Sequence, residues 1–176
     1  MNNLSKSLQF FNLISLNVVL GAVISSLMFW KLPDGNGELD VASVILLGLC
    51  TWIIYILDRI LDLRVYPESS TKRHIFHAEH QYNLSVLLVV LFIISSVLCF
   101  FIPRPIFNYG LVLTVILAVY FLILNKVLKT SKMQWIKEPT TAICYCLAVI
   151  GIAFVHHSSI NSSGWILAFM FFLIVS

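Results

Sequence analysis

Five stretches of the chain, residues 8–29, 41–61, 84–102, 106–124 and 138–155, stay apolar for as long as a helix must to cross a bilayer. Roughly 17–25 residues at ~1.5 Å each cover the ~30 Å of hydrocarbon. Lipid offers no partner to an unpaired backbone N–H or C=O, so such stretches fold as helices. A sixth run, 165–175, reaches only ~17 Å at the same rise. Ending as it does on Ser176 inside apolar sequence, it reads as a sixth span cut short, and the chain as the first part of a longer bundle. The other reading of that run is a re-entrant or interfacial end.

Composition closes off the alternatives. The chain is 60% hydrophobic and 11% charged, with a mean hydropathy of +0.96. A soluble domain carries about 25% charged residues, and a fold of this size has too little interior to hide so much apolar surface. A disordered chain, a nucleic-acid-binding tail and an ordinary soluble globule are therefore excluded. The net charge of +3 is too small to point to nucleic acid. The expected fold class is all-α: a polytopic transmembrane helical bundle with five full spans plus a truncated sixth, forming one integral membrane domain over 1–176. Its immediate partner is the lipid bilayer. The first run is not a cleaved signal peptide, because it is too long, carries Asn12, Ser15 and Asn17, and lacks a small-x-small cleavage site.

Lysine and arginine orient the spans. Nine of the eleven fall on one side: Lys6, then Arg59, Arg64, Lys72 and Arg73, then Lys126, Lys129, Lys132 and Lys137. The other side has Lys31 and Arg104, beside the acidic Asp34, Glu38 and Asp40. The N-terminus and the 59–83 and 125–137 loops are thus expected in the cytoplasm, with the inner (plasma) membrane of a bacterium as the expected location. Trp30 and Trp165 would lie at the outer interface and Trp135 at the inner one.

Two carboxylates, Asp58 and Asp62, stand in or beside the second run. Ionisable groups at that depth are costly and mark functional sites. Their i, i+4 spacing puts both on one helix face, ~6 Å apart, with Tyr55 and Thr51 on the same side. They repel each other, and at a helix C-terminus the macrodipole disfavours both. A positive group must offset this. One candidate is protein, from Arg59, Arg64, Lys72 or Arg73, which would make the pair an interfacial cluster that sets helix depth. The other is a hard cation such as magnesium, held by one or two carboxylates together with phosphate oxygens and water. A carboxylate pair at the membrane boundary, followed by a basic loop, suits a lipid diphosphate.

Tyr55–Asp62, with Lys72, Arg73 and His74 following, resembles the first aspartate motif of the UbiA-type intramembrane prenyltransferase superfamily. That motif reads Asn-Asp-x-x-Asp-x-x-x-Asp at the cytoplasmic end of the second span. Asp58 and Asp62 match its second and third aspartates, whereas Ile54 and Tyr55 stand at its Asn and first Asp. Tyr120 with Lys126 and Lys129 resembles the family's Tyr-then-Lys segment, which faces the diphosphate. The resemblance covers nearly all of this chain and about the first 60% of a family member, whose second aspartate motif lies further on. It implies Mg2+ on Asp58 and Asp62, which would also be the catalytic pair. It further implies a prenyl diphosphate bound by Arg59, Lys72, Arg73, Tyr120, Lys126 and Lys129, and prenyl transfer to an acceptor such as an aromatic ring. On this reading the 176 residues alone are inactive. The alternative is a non-catalytic membrane protein that keeps the scaffold.

His74, His77 and His80, at i, i+3 and i+6 with Glu79 nearby, are a weaker metal candidate and otherwise form a polar interfacial helix. Cys50, Cys99, Cys144 and Cys146 lie in apolar runs at spacings that suit packing, not a disulfide framework. Pro103 and Pro105 mark a short turn, and Glu138 and Pro139 are expected in the first turn of the fifth span.

Overall fold

The computed structural model describes residues 11, 13–31, 39–65, 72–127, 134–156 and 162–175; within these, side chains are described except at 62, 64, 65, 72–74, 121, 123–127, 134–141 and 175. Among the described residues the chain is all-helical, with seven helices and no strand. They are α1 (Leu16–Lys31), α2 (Val41–Val65), α3 (Lys72–Glu79), α4 (Gln81–Leu98), α5 (Arg104–Val127), α6 (Gln134–His156) and α7 (Ser162–Val175). Over Val41–Leu61 and Gln81–Leu98 the helices are long and apolar enough to cross a membrane. Leu16–Lys31, Arg104–Tyr120, Ala142–His156 and Ser162–Ile174 are apolar and shorter.

The helices pack around α2 and α6. α1 lies against both, α4 covers the far side of α2, and α5 and α7 cover α6. Small residues allow the close approaches. A Cβ at Gly48 on α2 would stand 2.9 Å from Val23 Cγ2 on α1, so a larger residue there would force the two helices or the Val23 side chain to shift. One apolar cluster joins Phe29 and Trp30 of α1, Leu47 of α2, Ile106 of α5, Val149 of α6 and Ala168 of α7. A second joins Ile56 and Ile60 of α2 to Leu84 and Leu91 of α4. Edge-to-face packing of Phe29 on Phe154 and Phe171, and of Phe154 on Trp165, ties α1, α6 and α7 together near one end.

Local sequence explains most element ends. Pro103 and Pro105 fall where the α4–α5 turn was expected, and the Pro103 carbonyl accepts from Phe107 N–H at 3.0 Å to open α5. α6 begins at Gln134, so Glu138 and Pro139 belong to its second turn and not its first. The polar segment after α2 forms the short helix α3, as the histidine spacing suggested.

The first apolar run departs from expectation. It is not one helix over 8–29, because the chain turns at Ile14 and Ser15 before α1 begins. Ser15 adopts φ 60°, and its carbonyl accepts from the N–H groups of Val18 and Val19. A left-handed conformation costs a residue with a Cβ ~1–2 kcal/mol. Part of that cost is offset from outside the segment: Trp52 of α2 donates its indole Nε1–H to the Ile14 carbonyl at 3.0 Å. Two substitutions test this. Ser15→Gly is expected to raise stability by about 1 kcal/mol by relieving the backbone. Trp52→Phe is expected to lower it by about 1 kcal/mol by orphaning the carbonyl. Thermal unfolding in detergent reads both, and a loss for Ser15→Gly or no loss for Trp52→Phe would show the turn is not held this way.

Candidate functional site

α5 packs along α6 and leaves a gap toward α2. The gap is a cleft of about 310 Å³, open on one side. Its α2 wall runs from Ser43 to Ile54, its α5 wall from Ile106 to Leu117, and its α6 wall contains Ala148 and Ile152. Tyr109 fastens the α5–α6 side, donating its hydroxyl to the Leu147 carbonyl of α6 at 2.8 Å.

Two of the walls run on into a polar residue. Asp58 lies four residues past Ile54 on α2, and Tyr120 lies three past Leu117 on α5. Tyr145 lies three before Ala148 on the antiparallel α6. Residues three or four apart share a helix face, so Asp58 and Tyr120 each lie one turn, ~5 Å, beyond the cleft-lining residues of their helix, whereas Tyr145, two residues from the Leu147 partner of Tyr109, stands beside the middle of the cleft. Tyr55, on the Asp58 face, comes close enough to Tyr145 for the two phenols to interact. Tyr55, Asp58, Arg59 and Tyr120 each take part in polar or ring interactions within the fold. Asp58 and Arg59 are half-buried, and the Arg59 Nε is fully enclosed.

Tyr145 was not singled out from the sequence. Its ring stacks on Phe171 of α7 at 6.3 Å, and its hydroxyl stands 3.5 Å from where a Cβ at Gly21 of α1 would be. The signal was present, since a phenol inside an apolar run needs a place for its hydroxyl. Only packing shows that this place adjoins Tyr55.

The other expected site residues divide plainly. Asp62 lies one turn beyond Asp58 on α2, Lys72 and Arg73 open α3, and Lys126 is near the end of α5; their side chains lie outside those described, as does the whole of Lys129. Among the described residues no three His, Cys, Asp or Glu side chains gather to hold a metal. Of the histidine trio, the two whose side chains are described differ in their surroundings. His77 is 2% exposed, whereas His80 is exposed, stacks on Phe76 at 4.5 Å and has its Nδ1 3.0 Å from the Phe76 carbonyl. His74 has its side chain outside those described. Cys50, Cys99, Cys144 and Cys146 are free thiols.

The donor chemistry at Asp58 is compatible with Mg2+, which takes one or two carboxylates and completes its shell with water and phosphate oxygens.

Comparison of the chain with protein-family models, curated proteins and solved structures finds no match in any of the three.

Proposed function

We propose that the chain is a polytopic membrane bundle of the UbiA-type prenyltransferase kind, with its N-terminus in the cytoplasm. In this reading the Asp58 end of the cleft receives a prenyl diphosphate, and the prenyl group passes to an acceptor such as an aromatic ring. One observation carries the reading: on two helices, α2 and α5, the residues lining the apolar cleft are followed one turn on by a polar residue, Asp58 and Tyr120. An amphiphile with an anionic head and a hydrocarbon tail has that polarity.

The membrane setting has its own support. Only 17% of the apolar window of α4 is buried. Val86, Val89, Phe92, Ile93 and Val97 of that helix point outward, where the core helix of a soluble protein would hide them. α5 does the same with Leu111, Val112, Val115 and Val119. The bias of Lys and Arg to the α2–α3 and α5–α6 connections supports the orientation.

In this reading Asp58 and Asp62 would hold Mg2+, which when bound offsets charge on a departing diphosphate. Arg59, Lys72, Arg73, Lys126 and Lys129 would bring positive charge to the diphosphate, and Tyr120 would bring a phenol. The apolar walls keep water from the reacting carbon. Tyr55, at a position where the family carries an aspartate, favours the competing reading of a non-catalytic scaffold.

The test is retention of a labelled prenyl diphosphate by the purified chain in nanodiscs, with Mg2+ and then with a chelator. Retention that collapses on chelation is the expected result. Retention indifferent to Mg2+ would leave the non-catalytic reading.

A further inference from the structure

We propose that Gly110 of α5 sets the length of prenyl chain the cleft accepts, a step that rests on the prenyl diphosphate reading above. Four kinds of observation lead there. The first is chemical. Of the polar residues lining the cleft, the three hydroxyls are already bonded inside the protein: Ser43 to Asp40, Thr114 to the Gly110 carbonyl, and Tyr109 to the Leu147 carbonyl. The remaining one, Cys50, is a thiol, a weak donor. The cleft therefore offers its occupant contact and almost no hydrogen bonds, which fits hydrocarbon.

The second is size. A volume of about 310 Å³ lies at the small end of ligand pockets, ~300–1,000 Å³, and suits one chain, not two side by side. From Ile54 to Ser43 the α2 wall runs ~17 Å at helical rise. That is about half of the ~30 Å hydrocarbon thickness.

The third is continuity. The Ile54–Leu117 end lies one helical turn from Asp58 on α2 and from Tyr120 on α5, so a head group held at those residues directs its tail toward Ser43, Ile102 and Ile106. The fourth is room. Gly110 lines the stretch between those ends, and a Cβ built on it meets nothing within 4 Å. The missing side chain is therefore space that the protein does not use.

In Gly110→Leu the added Cβ meets open space, and leucine is a better helix former than glycine, so the variant is expected to fold. Wild type and Gly110→Leu are compared in nanodiscs for retention of geranyl and geranylgeranyl diphosphate. The matching neutral alcohols and hexadecanol serve as further probes. Removing burial of a few methylenes is expected to lower the long-to-short ratio roughly tenfold in Gly110→Leu, for diphosphates and alcohols alike. An unchanged ratio, with retention still dependent on Mg2+, overturns the role of Gly110 and spares the head-group reading. A ratio that falls for alcohols while diphosphate retention ignores Mg2+ supports the role of Gly110 and removes the head-group reading. Hexadecanol competing as well as geranylgeraniol overturns the prenyl assignment.

Discussion

Gly151→Ala is expected to destabilise the protein by ~1–3 kcal/mol, the usual cost of overpacking a fitted contact. Gly151 sits beneath the Tyr109 ring. A Cβ there would strike the Tyr109 hydroxyl and ring, with Cε1 at 2.6 Å. The reason lies in helix geometry. The Leu147 carbonyl is the α-helical acceptor for the N–H four residues on, which is that of Gly151. It has a second lone pair. Tyr109 reaches that lone pair only by crossing residue 151, so its 2.8 Å bond requires that no side chain stand there. If the ring swings away instead of clashing, the bond and the α5–α6 contact are lost, and the cleft loses its anchored wall. Either outcome outweighs the ~1 kcal/mol that alanine gains over glycine in a helix interior. Thermal unfolding in detergent measures the loss. Adding Tyr109→Ala to Gly151→Ala should cost much less than the sum of the single changes, because the clashing partners are one pair. Simple additivity, or a wild-type melting point for Gly151→Ala, would show that the seam is not built this way.

The second large effect concerns the site. Asp58→Asn preserves shape and removes the charge. Bonds to charged groups contribute ~1.5–3 kcal/mol, so Mg2+-dependent retention of a prenyl diphosphate is expected to fall roughly 10- to 150-fold. Retention measured with a chelator present should not change. Titrating Mg2+ against retention separates the two components. If Asp58→Asn titrates like wild type, Asp58 holds no metal and the scaffold reading stands. The change also relieves an anion near the end of α2, so loss of binding should come with stability equal to wild type or slightly higher. That combination separates a functional carboxylate from a structural one.

The candidate site was partly legible beforehand. Asp58 and Tyr120 are visible because a carboxylate or phenol stands out in apolar sequence and its spacing is local. Tyr145 stands out no less, but what makes it interesting is Tyr55 on another helix and Gly21 on a third. The histidine trio shows the converse. Its spacing suggested a shared face, and packing separated His77 from His80.

Helical class, the two long apolar helices, the proline turn before α5 and the short polar helix α3 follow from the sequence by itself. Hydrophobic run length, proline and local charge act within a few residues, and an apolar backbone must bond to itself wherever it lies. The turn at Ser15, the Tyr109 seam and the cleft with its polar end were decided by the tertiary structure. The turn depends on Trp52 meeting Ile14, and the seam on Tyr109 meeting Leu147, each pair 38 residues apart. No local pattern encodes a contact whose two halves meet only when helices pack.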